Sequence, residues 1–176
     1  MQLATQRGLV TIRPAALADA ENFRALRLQA LRDHPDAFSA DSAFNAAQPI
    51  AYWEQRLSDV GRQGMIFFAE SQPGLVGMCG VRRESSPATQ HSATVWGVFV
   101  REQWRGLRIA ENLIQQCVSW ASVNGVSSLR LGVVTTNSSA VRCYRRCGFI
   151  VYGVEPQAIS VNGQMYDEFL MVRYLT

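Results

Sequence analysis

The chain has 176 residues, 48% hydrophobic and 18% charged, with a formal net charge of +3. That length and apolar content predict one domain over residues 1–176, with its core from about residue 10, and exclude a disordered or histone-like basic chain. All 17 basic residues are arginine, which excludes a P-loop lysine, a Schiff-base lysine and a Ser–Lys catalytic pair. The arginines are unevenly spread. Between Arg101 and Arg146 there are seven, against only Glu102 and Glu111, and this local +5 suits phosphate groups.

The first residues, MQLATQRGLV, lack the apolar stretch of a secretory signal, and no segment approaches the roughly 18 apolar residues of a membrane span. Cys79, Cys117, Cys143 and Cys147 have no C-x-x-C spacing, and His34 and His91 stand alone. No metal site is therefore expected, and the four thiols suit a reducing cytoplasm.

In chain order, Thr11–Pro14 reads as a short strand and Asp19–Arg32 as a helix with Phe23, Leu26, Ala30 and Leu31 on its apolar stripe. Asp19 and Glu21 are placed in its first turn, where they favour the dipole. A polar loop from Asp36 to Pro49 leads to a short helix over Ile50–Asp59. Strands follow at Met65–Glu70 and Leu75–Arg82, joined by a turn at Gln72-Pro73-Gly74. After a loop over Glu84–His91, Ala93–Val100 reads as a regular strand, with Val95, Gly97 and Phe99 on one face and Trp96, Val98 and Val100 on the other. Ala110, Leu113, Ile114, Cys117, Val118 and Ala121 then mark an amphipathic helix closed by Asn124-Gly125. Leu129, Leu131 and Val133 alternate as a strand, and the unit from Ala93 to Val134 predicts a right-handed crossover. A helix begins near Asn137 and ends at Gly148. Phe149–Glu155 and Met165–Tyr174 close the chain as strands joined by a turn at Asn162-Gly163.

Two segments carry chemistry. Arg105-Gly106-Leu107-Arg108-Ile109-Ala110 enters the long helix, where free backbone N–H groups and the positive dipole end bind a phosphate. In Asn137–Phe149, Asn137 or Ser138 caps the helix, and Tyr144 is usable as a general acid for a departing thiolate. The run Val98–Ile114 resembles the acetyl-CoA motif R/Q-x-x-G-x-G/A of GNAT-type N-acetyltransferases. Asn137, Ala140, Tyr144 and Gly148-Phe149 resemble the second motif of that family, N-x-x-A-x-x-x-Y-x-x-x-G-F, and the order of elements over nearly the whole chain is similar too. Ala25–Phe38 resembles a stretch of many bacterial GNAT-like chains.

The resemblance implies an α/β (α+β) GNAT fold, a mixed sheet of six to seven strands flanked by about four helices, whose central strands splay apart. It implies acetyl-CoA as cosubstrate, without a metal. Phe99 and Val100 would bind pantetheine through their backbone, and the amides from Arg105 to Ala110 (Arg105, Gly106, Leu107, Arg108, Ile109, Ala110) would hold the pyrophosphate. Asn137 and Ala140 would contact the pantetheine arm, the Val98 N–H would face the oxyanion, and Tyr144 would protonate the thiolate. Arg108 departs from the motif at its second glycine. The strand that supplies a glutamate base in some members holds no acid here, so no base is assigned. His91, Glu84, Asp41, Asp167 and Glu168 are the groups weighed, with relay through water otherwise. The acceptor pocket is expected at the His34–Pro49 loop, Trp53, Trp96 and the turn Val161–Met165, with Phe38 and Trp96 as substrate residues. A small-molecule amine is the expected partner, with no nucleic acid and no membrane, and a homodimer is left open. Protein acetylation, at an N-terminus or a lysine, is the alternative, as is a non-catalytic acyl-CoA sensor.

Overall fold

The computed structural model describes residues 1–59, 61, 63–72 and 74–175. Its strands are β1 Gln2–Thr5, β2 Gly8–Pro14, β3 Gly64–Ser71, β4 Gly74–Arg83, β5 Ser92–Val100, β6 Ser128–Val134, β7 Ile150–Val161 and β8 Gln164–Tyr174. Its helices are α1 Ala20–Asp33, α2 Ser42–Ala47, α3 Ile50–Ser58, α4 Ile109–Val123 and α5 Ser138–Arg146. The strands form one mixed sheet in the order β1-β2-β3-β4-β5-β6-β8-β7, parallel only between β5 and β6.

Eight strands and five helices thus replace the expected six to seven and about four. The additions are β1 and α2, both short. β1 pairs Thr5 with Gly8, and the Thr5 hydroxyl holds the turn by accepting from the Arg7 N–H at 3.1 Å and donating to the Gly8 carbonyl at 2.7 Å. α2 interrupts the loop expected over Asp36–Pro49. The Asp41 carboxylate caps it by accepting from the Phe44 N–H, and Asn45 Nδ2 donates to the Asp41 carbonyl at 2.6 Å.

Two boundaries shift for identifiable reasons. α1 starts at Ala20, because the Asp19 carboxylate turns back to accept from the Ala16 N–H at 2.8 Å and to pair with the Arg13 guanidinium at 2.7 and 2.8 Å. That pairing holds the Asp19 carboxyl below the usual carboxylate range. β7 runs on past Glu155 to Val161, and its register breaks between Glu155 and Ile159, where Pro156 falls on the sheet edge. The Asp167 carboxylate takes up the Gln157 N–H there at 2.8 Å. Asn162 and Gly163, with φ of 50° and 83°, then make the two-residue hairpin turn. Of the turn expected at Gln72-Pro73-Gly74, Pro73 lies outside the described residues; Ser71 pairs with Gly74.

Helices cover both faces of the sheet at its central strands, while Ile150, Tyr152 and Val154 of β7 stay exposed. α1 and α3 pack Phe23, Leu26, Trp53 and Leu57 onto Ile66, Phe68, Met78 and Phe99. α4 packs Leu113, Ile114, Cys117 and Ala121 onto Phe67, Ala69, Cys79 and Val81, together with Val141 and Tyr144 of α5. This pattern corrects the regular alternation expected of β5. Met78 pairs with Phe99 and Gly80 with Trp96, so Gly97 and Val98 stand opposite the single residue Cys79. The bulge, with Gly97 at φ 66°, advances the pleat by one residue. Phe99 therefore shares the α1/α3 face with Trp96, while Val98 and Val100 pack towards α4.

Candidate active site

β5 and β6 pair over only three positions, Ser92–Thr94 against Ser128–Arg130, and a buried contact between the Ser92 and Ser128 hydroxyls, 2.8 Å apart, closes that end. Beyond it the strands part, because each follows its other neighbour. β5 stays with β4 as far as Val100, and β6 stays with β8 as far as Val134. The result is a cavity of about 790 Å³ between the facing edges, Val95–Val100 on one wall and Leu131–Val134 on the other.

One end of this cavity is the start of α4. Gly106 and Arg108 both take left-handed backbone, at φ 78° and 57°. Asn112 is the first residue of the helix whose N–H is taken up, by the Arg108 carbonyl at 3.1 Å. The amides of Gly106–Glu111 have no hydrogen-bond partner among the described residues. Successive free N–H groups in such a turn, at the positive end of a 15-residue helix, form a concave anion site. Arg105 braces the turn through its Nε–H to the Val100 carbonyl at 3.1 Å, and its Nη2 meets His34 Nε2 at 2.6 Å.

The opposite side is α5. Asn137 accepts from the Ala140 N–H at 3.1 Å and from the Ser139 hydroxyl at 3.0 Å, so the side chain that caps the helix is also on the cavity wall. Tyr144 is 8% exposed, and its ring packs edge-on against Phe149 with centroids 6.3 Å apart. Burial, followed by the fields of nearby thiols and of Glu168, pushes the phenol pKa well above its ordinary value. The hydroxyl is therefore a proton donor throughout the physiological range.

The cavity brings together Val98, Phe99, Val100, Arg105, Gly106, Arg108, Ile109, Ala110, Asn137, Ala140 and Tyr144, with Phe38 and Trp96. Leu107 does not line it; its side chain packs on the α4 core, and the residue borders a shallow depression beside β1. Trp53, expected in the acceptor pocket, is fully buried against Phe23 at 5.2 Å. Among the acids weighed, Asp41 caps α2, Asp167 holds the β7 bulge, and Glu84 accepts from the Thr94 hydroxyl at 3.1 Å. Glu168 lies against the cavity wall, since a Cβ on Gly132 would come within 2.6 Å of its Oε2. Burial, and secondarily Glu155, raise the Glu168 pKa. Sequence reasoning missed Arg27, which occupies position i+4 from Phe23 on the buried stripe of α1. A charge inside an apolar stripe is the signal that could have found it. Among the described residues no group of three or more His, Cys, Asp or Glu is placed to hold a metal, and no helix is long and apolar enough to cross a membrane.

A sheet that parts beside free helix amides, with a buried tyrosine across the gap, leaves room for an extended ligand whose anionic end meets those amides. The chain belongs to the acetyltransferase (GNAT) family, whose sequence profile matches residues 23–149. It is 29% identical over 141 residues to mycothiol acetyltransferase of Brachybacterium faecium, covering 79% of this chain and 40% of that protein. It is 25% identical over 170 residues to the L-amino acid N-acetyltransferase AaaT of Escherichia coli, covering 93% and 97%. The yncA structure of Salmonella typhimurium, solved with its cofactor acetyl-CoA, shares the fold at a TM-score of 0.78, with 20% identity and 95% and 94% of the two chains covered. The chain is thus an acyltransferase by family.

Proposed function

We propose that the chain, acting as one domain over residues 1–176, transfers the acetyl group of acetyl-CoA to a primary amine of a small molecule, by direct attack in a ternary complex. The observation that carries this reading is the parting of β5 and β6 after three residue pairs, which opens a path from the free amides of α4 to Tyr144. The amides of Gly106–Ala110, with the Arg105 and Arg108 side chains, hold the pyrophosphate. The backbone edges of Phe99 and Val100, with Asn137 and Ala140, hold the pantetheine arm. At the bulge, the Val98 N–H donates to the oxyanion that forms when the amine attacks the thioester carbonyl. Tyr144 then protonates the departing thiolate. An amine with a solution pKa near 10.4 must first shed a proton. Glu168, whose raised pKa makes it the better base, takes that proton directly or through water.

Two relatives named for small-molecule substrates, and a cavity whose acceptor end is closed in by Phe38 and Trp96, support a small acceptor. The test is thiol release from acetyl-CoA with small amines, N-terminal peptides and lysine peptides as acceptors. The account expects release with small amines alone. Release with peptides alone would point to protein acetylation, and acetyl-CoA binding without release to a sensor.

Arg108 stands where the motif has glycine, and its left-handed backbone gives the departure a measurable cost. Arg108→Gly removes about 1–2 kcal/mol of left-handed strain, partly offset by about 0.4–1 kcal/mol of added unfolded-chain entropy. The melting temperature is expected to hold or rise slightly, while the Kd for acetyl-CoA rises severalfold. Equal dissociation constants by calorimetry would remove Arg108 from the phosphate site.

A further inference from the structure

Behind the acceptor end of the cavity lies a cation that the fold leaves unsatisfied. Arg27 is 8% exposed, and its Nη1 is buried without a hydrogen-bond partner. None of the ion pairs among the described residues includes it or Arg56. Burial, together with the like charge of Arg56, pushes the Arg27 pKa down to about 10. Arg56 donates from Nη1 to the Tyr52 hydroxyl at 3.1 Å, while its Nε also lacks a partner. Among the described residues no carboxylate compensates, and aromatic faces take its place. Arg27 lies 4.8 Å from the Phe38 ring centre, and Arg56 lies 5.2 Å from that of Trp96.

Two neighbouring arginines without a carboxylate are not an arrangement that packing alone favours, since a buried charge is costly unless paired. Gly97 shows where the missing anion fits. Arg27 Nη1 stands 3.5 Å from the place a Gly97 Cβ would occupy, and among the described residues no other beyond the chain neighbours comes within 4 Å of it. Gly97, Phe38 and Trp96 all line the cavity. Arg27 and Arg56 stand just behind that lining rather than in it, so a planar carboxylate seated at Gly97 would draw the guanidinium fork forward to pair with it.

We propose that Arg27, reinforced by Arg56, binds a carboxylate carried by the acceptor, so that the substrate is an amine of the amino-acid type. This rests on the transfer reading above, which places the thioester carbonyl at the Val98 N–H, the residue after Gly97. Consecutive Cα atoms are about 3.8 Å apart, so an anion at Gly97 and an amine attacking at Val98 belong to one compact molecule with only a carbon or two between the groups.

The experiment pairs a mixture of proteinogenic L-amino acids with the matching mixture of their carboxamides. In thiol release from acetyl-CoA, the wild-type protein prefers the acids by about a hundredfold in kcat/KM. Arg27→Met abolishes that preference by slowing the acids alone. It leaves the Kd for acetyl-CoA unchanged and does not lower the melting temperature, because it removes an unpaired buried charge. Arg56→Gln, on a partly exposed side chain, moves the same ratio in the same direction by about tenfold. Calorimetry on protein loaded with free CoA, where no transfer occurs, measures acceptor binding separately. Binding of the acids but not the carboxamides, without thiol release when acetyl-CoA is supplied, would sink the transfer reading and leave the anion site standing. Equal handling of acids and carboxamides by the wild type, or equal loss of both in Arg27→Met, overturns the anion site.

Discussion

Tyr144→Phe is expected to lower kcat by about a hundredfold or more, the usual contribution of a positioned general acid, while the Kd for acetyl-CoA and the melting temperature stay close to wild type. The asymmetry follows from the surroundings of the ring. Its packing against Phe149 and the α4 side of the sheet is retained by phenylalanine. The hydroxyl has no hydrogen-bond partner among the described residues, so removing it strands no buried group. The pH profile separates this role from others. Burial raises the phenol pKa, which disfavours the phenolate, so an alkaline limb of kcat does not arise from Tyr144. Steady-state kinetics with unchanged turnover in Tyr144→Phe would refute the assignment.

Gly80→Ala carries the second large effect, on stability and activity together. A Cβ at Gly80 would fall 2.2 Å from the Trp96 indole, closer than any real contact allows, and the ring is a packed side chain that cannot simply swing aside. Overpacking of this kind costs about 1–3 kcal/mol, which for a domain of this size lowers the melting temperature by roughly 3–10 °C. Trp96 also faces Arg56 and sits next to the bulge residue Gly97, so the displaced ring shifts the acceptor end of the cavity. The check is a double-mutant cycle by thermal melts. Trp96→Phe in the Gly80→Ala background is expected to recover part of the loss, since the two positions meet in the structure. Additive losses would mean that the strand relieves the clash elsewhere.

What the sequence made legible was periodic or motif-bearing. The stripe from Ala110 to Ala121 is α4, and the Asn162-Gly163 pair is the hairpin turn between β7 and β8. A phosphate could be assigned to the Arg105–Ala110 loop because helix starts have a fixed donor pattern. The features that shape the cavity were not periodic. Alternation along Ala93–Val100 ran unbroken in the sequence, yet the extra residue at Gly97-Val98 reverses Phe99 onto the α1/α3 face. The parting of β5 from β6 depends on pairing partners distant in the chain, and only the resemblance implied it. Trp53 looked like a pocket aromatic because composition cannot tell a lining ring from a core ring. Arg27 was overlooked because the apolar stripe around it read as complete without it.

The central claim is direct transfer to the amine, and the intact mass of the protein after incubation with acetyl-CoA alone tests it most directly. The cavity wall includes Cys143, and its hydrogen bond with the neighbouring Cys147 thiol, together with burial, keeps the Cys143 thiol protonated and a poor nucleophile. No acetylated protein is expected before the amine is added, with thiol release beginning only on its addition. An acetyl group found on Cys143, and passed from there to a later-added amine, would contradict it.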